Sequence, residues 1–150
     1  MAATKINAND VKSELEMLRL FFPEYSFKYD GSKISSLKVS YTVNFAVNKD
    51  IKDQMQITIL TVINSLENSL SLNVTAVGEF KLHNYDNFSE QNVEIILKRN
   101  AVSIMLPFVR SQVSLLTTQP GMSPILLPPV DVNAMADANQ KQADEKINEG

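Results

Sequence analysis

The sequence of 150 residues lacks cysteine altogether, and it contains only four glycines. Without cysteine, the chain can form no disulfide bond, no thiolate nucleophile and no cysteine-ligated metal site. None of the glycines stands in a phosphate-binding loop. Several classes of enzyme and of metal site are therefore excluded by composition.

Clusters of positive charge and long apolar runs are also missing. The net charge is −3, and lysine and arginine form no basic patch, which argues against binding to nucleic acid. No run approaches the ~20 apolar residues of a membrane span, and residues 1–7 lack the apolar core of a signal peptide. We therefore expect a soluble, cytoplasmic protein without membrane insertion.

Candidate catalytic groups are few. His83 is the only histidine, and a histidine without a partnering base or orienting residue rarely acts in catalysis. Zinc would need His83 with three carboxylates, which is an improbable ligand set. The pairs Asp50/Asp53 and Glu90/Glu94 lie in polar sequence typical of turns and helix starts, where acids stabilise the helix dipole. We predict no catalytic residue, no metal and no cofactor, and hence no enzyme.

Four segments show the alternation of apolar and polar residues that predicts β-strands: residues 17–29, 37–48, 54–64 and 70–82. One apolar and one polar face are typical of an antiparallel sheet that is covered on one side. Pro23 cannot donate a ladder hydrogen bond, so it predicts an edge position or a bulge in the first strand. Gly78 interrupts the inward row of the fourth strand and predicts a bulge or a close approach.

Helices are predicted mainly after the strands. A short helix is predicted over residues 10–18, and a disordered arm is the alternative for this segment. A second helix is capped by Ser89, a third covers residues 100–116, and Asp131 begins a last one. Strands first and helices afterwards indicate an α+β fold with the helices on one face of the sheet. We expect a single domain over residues 1–150, with flexible ends at 1–10 and 138–150.

The helix over residues 100–116 is apolar around most of its circumference, which predicts burial on more than one side. A single sheet covers only one side, so the other side must contact a second subunit or an apolar ligand. The alternative is that these side chains belong to an ordinary core. The candidates for an oligomer interface are Ile104, Met105, Phe108 and Leu115.

Residues 120–130 hold four prolines together with several large apolar residues. The prolines forbid a helix, and the apolar residues argue against a simple solvent loop. We expect an extended segment against apolar surface, in which Leu126 and Leu127 either pack on the sheet or line a ligand groove. Surplus apolar surface of this kind indicates oligomer contacts or polypeptide binding.

Several of these motifs resemble the SecB protein-export chaperones. The helix sequence Leu-Pro-Phe-Val-Arg at residues 106–110 is similar to the family's aromatic-Pro-aromatic-x-Arg motif, and residues 124–135 are similar to its Leu-x-Pro-Val-Asn-Phe-x-Ala-Leu segment. Gly-Glu-Phe at 78–80 resembles the family's Gly-x-Phe at the end of its fourth strand, and residues 19–27 resemble its first strand. The resemblance covers about residues 15–136 and is strongest over 100–136.

The resemblance implies a four-stranded antiparallel sheet, a homotetramer built as a dimer of dimers, and a holdase for unfolded or precursor polypeptides in protein export. Such a protein binds clients in apolar grooves between the sheet, the final helix and the crossover after the first strand. The implied client-binding candidates are Tyr41, Phe45, Leu126, Leu127, Val132 and Met135.

The chain also departs from the family pattern. The resemblance implies docking to the SecA translocase motor, with Glu24 as the candidate, but Lys28 and Asn73 stand where acids are usual. The crossover at residues 30–36 is short and lacks the family's tryptophan. Divergent relatives protect antitoxins, so a dedicated chaperone or regulatory oligomer for one partner is the alternative. A third hypothesis is a domain that binds a small molecule, but the sequence shows no convergent polar groups for such a site.

Overall fold

A computed structural model of the protein describes Ala3 and residues 14–132. The predicted flexible ends, Met135 and most of the helix expected after Asp131 lie outside the described residues. The described elements are β1 (Leu15–Tyr29), β2 (Leu37–Val47), β3 (Gln54–Ser65), β4 (Leu70–Leu82), a 3₁₀ turn (Tyr85–Asn87), α1 (Glu90–Ile96), a π-helical turn (Leu97–Ala101) and α2 (Val102–Leu116).

The four strands form one antiparallel sheet in the order β1-β4-β3-β2, which confirms the predicted α+β class. Strands that follow each other closely are paired, except that β1 and β2 lie at opposite edges. Residues 30–36 must therefore pass the ends of β4 and β3. Backbone hydrogen bonds tie this crossover to the β3–β4 turn, from Asp30 N to Ser69 O (3.0 Å) and from Leu66 N to Ser36 O (3.3 Å).

β1 confirms the prediction made from Pro23 in both of its forms. The strand lies at an edge of the sheet, and its register against β4 shifts between Phe21 and Glu24. The shift also changes which side chains face the core. Phe22 and Phe27 both pack against the buried cluster, although an unbroken alternation would put these two positions on opposite faces of the sheet.

The helix predicted over residues 10–18 is wrong where the structure describes it. Residues 15–18 belong to β1, and Leu15 pairs with Leu82 and is 4% exposed. The prediction depended on the helical spacing of Val11, Leu15 and Leu18, which is a weak local signal. Pairing of this part of the chain with β4 overrides that signal.

One face of the sheet carries the core. The inward residues of β3 and β4 are buried against one stripe of α2, formed by Val102, Met105, Leu106, Val109 and Val113. Ser89 caps α1 as predicted, because its Oγ accepts a hydrogen bond from Asn92 N at 3.2 Å. The π-helical turn joins α1 to α2, so the chain stays helical between them. In the part of the chain that the structure describes, no helix has both the length and the apolar character needed to cross a membrane.

Gly78 marks a close approach between β4 and α2. Of the two structures predicted for this glycine, a bulge or a close approach, the second is the one observed. A Cβ atom at this position would lie 2.7 Å from Cε2 of Phe80 and 2.8 Å from Sδ of Met105. Both neighbours are fully buried, so neither side chain can move aside into solvent. A glycine is therefore required for α2 to lie this close to the sheet.

We predict that Gly78→Ala lowers the free energy of unfolding by about 1–3 kcal/mol because it overpacks this contact. The sign of this change in stability is informative, because replacing glycine with alanine at an unstrained position usually stabilises a protein by about 0.4–1 kcal/mol. Urea unfolding measures the change. In a double variant with Met105→Ala, the two losses should not add, because the sulfur contact is gone. A Gly78→Ala protein as stable as the wild type would contradict the close approach.

Candidate functional site

The proline-rich segment, residues 120–130, runs back along α2 in an extended conformation. Pro120 and Gly121 occupy the centre of a turn in which Met122 N donates to Gln119 O at 3.1 Å. Gly121 has φ +78°, the left-handed value that the third residue of a type II turn requires. This turn reverses the chain after α2 and places the segment beside the helix.

Side chains of the segment alternate between core and surface. Ile125 and Leu127 are 8% and 4% exposed and belong to the buried cluster, whereas Leu126 between them is 79% exposed. Alternation of this kind is the expected result of an extended backbone, whose successive side chains point in opposite directions. Leu126 thus forms an apolar ridge on the surface.

A groove lies on one side of this ridge, between the segment and the crossover. We call it the crossover groove; its volume is about 460 Å³. Its lining residues are Tyr29, Ile34, Leu37, Gly121, Met122, Ser123, Pro124, Ile125 and Leu126. None of these residues is charged. The groove can therefore take apolar side chains of many shapes, and Met122 adds a side chain that repacks easily.

A second groove lies on the other side, between the segment and α2. We call it the helix groove; its volume is about 570 Å³. It is lined by Pro107, Arg110, Ser111, Ser114, Leu115, Thr118, Leu126 and Leu127. Leu126 lines both grooves, so one exposed leucine separates them.

Hydrogen bonds from α2 and from the crossover fix the walls. The hydroxyl of Thr117 accepts from Ile125 N at 2.8 Å, and Arg110 Nε donates to Leu127 O at 3.0 Å. In the crossover, Tyr29 OH donates to Ser32 O at 2.7 Å, and the Asp30 carboxylate accepts from Ser32 N at 2.8 Å. That backbone hydrogen bond is the main reason that the pKa of Asp30 is lowered.

The candidates on β2 line neither groove. Tyr41 and Phe45 point to the core side of the sheet and are partly buried against the core. Burial raises the pKa of the Tyr41 phenol, and the nearby positive charge of Arg110 lowers it by a smaller amount. Val132 is also partly buried against the core. Their predicted contacts with clients stay predictions.

The structure separates the two leucines that the sequence treated alike. Leu126 is on the surface, whereas Leu127 is buried and has almost no area left for direct contact with a client. Sequence reasoning missed Tyr29, Ile34 and Met122 as groove residues. Ile34 carried a usable signal, because it is the one large apolar residue in the polar crossover at residues 30–36.

The oligomer-interface candidates divide in a similar way. Phe108 and Leu115 are 46% and 67% exposed on the side of α2 that faces away from the sheet, and Ile104 is partly exposed on the same stripe. Met105 is fully buried against β4 and is not available to another subunit, because α2 turns it towards Gly78. Glu24, the docking candidate, is exposed on β1.

Comparison with known families gives one match over most of the chain. The model of the family described as preprotein translocase subunit SecB matches residues 8–143. The protein-export protein SecB of Acinetobacter baumannii is 24% identical over 147 residues, which cover 93% of this chain and 95% of the relative. That of Methylobacillus flagellatus is 35% identical over 75 residues, or 50% of this chain and 45% of the relative.

A solved structure shares the fold. It is the SecB-like chaperone Rv1957 of Mycobacterium tuberculosis, in complex with a ChAD peptide from the antitoxin HigA1 (Rv1956). The TM-score is 0.66 at 9% sequence identity, and the likeness covers 78% of this chain and 88% of the other. At that identity, the likeness concerns the arrangement of strands and helices.

Proposed function

The chain belongs to the SecB family of protein-export chaperones, and we propose that it holds non-native polypeptides in the crossover groove and against the ridge at Leu126. The observation that carries this proposal is the position of Leu126, a leucine 79% exposed between two grooves. Contact between an apolar side chain and water is unfavourable. An unfolded client that covers Leu126 removes this contact and is thereby bound.

The chemistry of the crossover groove suits clients of varied sequence. Its described lining has no charged group, so it does not demand a complementary charge from the client. Tyr29 and Ile34 offer apolar walls, and Met122 can adapt its shape to different side chains. We propose Tyr41, Phe45 and Val132 as a supporting layer rather than as the first points of contact.

We further propose a cytoplasmic homotetramer. A second copy of the chain would cover the stripe of Ile104, Phe108 and Leu115 on the outer side of α2, since an exposed apolar stripe favours association. Several weak grooves on one assembly would bind one long client with an avidity that no single groove provides.

The SecA motor is proposed as a partner on the other face of the sheet. Glu24 pairs with Thr75 at the β1 edge, and Lys28, four residues on, pairs with Ser71. A positive charge so close to Glu24 weakens the negative potential of this face. We therefore expect contact with a basic partner here to be weak and sensitive to salt.

A second candidate function is a dedicated chaperone for one partner, such as an antitoxin. It is favoured by the fold shared with the M. tuberculosis protein, which was solved with an antitoxin peptide. In that case the same grooves would recognise a single segment of defined sequence.

One experiment separates these functions. Several unrelated proteins, unfolded in denaturant, are diluted into buffer with and without the chain, in the absence of nucleotide, and light scattering follows their aggregation. We expect suppression for most of them at near-equimolar concentrations. Suppression for only one partner would favour the dedicated chaperone, and suppression for none would contradict the proposal.

A further inference from the structure

We propose that Thr117 and Arg110 are positioning residues of the client site, which hold the proline-rich segment in the one register that exposes Leu126. This inference rests on the proposed function, because it concerns how the ridge is presented to a client. Neither residue needs to contact the client. Each acts on the backbone of the segment from α2.

Thr117 ends α2 and is fully buried. Its hydroxyl donates to Val113 O at 2.8 Å, which orients the oxygen, and the same oxygen accepts from Ile125 N at 2.8 Å. Prolines have no backbone N–H, so between Pro124 and Pro129 only residues 125–127 can donate. Thr117 thus uses one of the few donors that the segment has, in a place that water does not reach.

Arg110 makes the second attachment, from its Nε to Leu127 O. Seven residues of α-helix separate it from Thr117, a rise of about 10.5 Å. Ile125 and Leu127 are two positions apart, which in an extended chain is about 7 Å. The long side chain of Arg110 covers the remaining distance, so the segment can lie antiparallel to α2 with both hydrogen bonds made at once.

The attachments matter because the segment alternates. A shift of one residue along α2 would exchange the buried and exposed positions, burying Leu126 and exposing Ile125 and Leu127. The apolar contacts alone discriminate weakly between leucine and isoleucine side chains. Two polar attachments at fixed backbone atoms permit only one of the registers.

The test measures binding of a fluorescently labelled peptide from an unfolded client to the full chain. Thr117→Val removes the acceptor at nearly constant volume and should weaken binding about fivefold, the usual scale for one lost hydrogen bond. Thr117→Ser keeps the acceptor and should restore binding. Thr42→Val is the matched control and should bind as the wild type does, because Thr42 is exposed on β2 and lines neither groove.

A double-variant cycle distinguishes positioning from general destabilisation. If Thr117 acts through the ridge, Thr117→Val should add little further loss in a Leu126→Ala background. Equal losses in both backgrounds would overturn the inference. Arg110→Met, which removes the Nε donor at a partly exposed site, provides a second variant should Thr117→Val fold poorly, and the same cycle applies to it.

The outcomes also separate this inference from the proposed function. A wild-type chain that binds no client peptide would contradict the proposed function itself. Client binding as tight as that of the wild type in folded Thr117→Val and Arg110→Met would overturn the positioning role alone. Thermal unfolding of each variant shows whether it is folded under the conditions of the binding measurement.

Discussion

Replacing Leu126 with serine is expected to weaken the binding of an unfolded client about tenfold or more, because the ridge loses most of its apolar area. The stability of the fold should change very little. Leu126 is 79% exposed, and substitutions at such positions usually alter the free energy of unfolding by less than about 0.5 kcal/mol. Fluorescence anisotropy of a labelled client and urea unfolding measure the two quantities.

Leu127→Ser is the matched control, since it makes the same chemical change one residue later. Leu127 is 4% exposed within the core, so its loss should cost about 2–5 kcal/mol of stability. Any loss of client binding in this variant should follow its loss of folded protein. Equal client affinities in Leu126→Ser and the wild type would contradict the ridge as a client contact.

The strands could be predicted from the sequence because their patterning is local. In β2, six large apolar residues occupy every second position, and the structure pairs all of them with β3 in an unbroken register. The structural roles of Pro23 and Gly78 could also be predicted from the sequence. Proline lacks the backbone N–H that a strand donates to its neighbour, and glycine lacks a side chain. Both predictions depend only on the residue and its strand.

The positions that could not be predicted depend on distant parts of the chain. Leu15 joins a strand because Leu82 is there to pair with it, 67 positions away. Leu126 and Leu127 look equivalent in the sequence, and their roles diverge only because Thr117 and Arg110 fix the register of the segment. Met105 and Phe108 are both apolar residues of α2, but helix rotation against Gly78 decides which one faces solvent.

The other large effect is expected at Phe108. In the proposed tetramer, Phe108→Asp would place an unpaired carboxylate in an apolar interface, and burying an unpaired charge costs several kcal/mol. The single chain should stay folded, because Phe108 is already 46% exposed and does not belong to the buried stripe of α2. We therefore expect the assembly to dissociate into folded smaller species. Light scattering should show the molar mass falling from about four times the 16.8 kDa of one chain to half of that value or less.

A matched control adds the same charge elsewhere on α2, because the expected dissociation depends on the position of the charge. Ser103 is exposed on a different side of the helix, five residues before Phe108, and Ser103→Asp should leave the molar mass unchanged. Phe108→Leu keeps an apolar side chain and should also preserve the assembly. If Phe108→Asp keeps the mass of the wild type, the stripe of Ile104, Phe108 and Leu115 does not hold the subunits together. Its exposure would then call for another apolar partner, and the helix groove, which Leu115 lines, would be the first place to look for bound client.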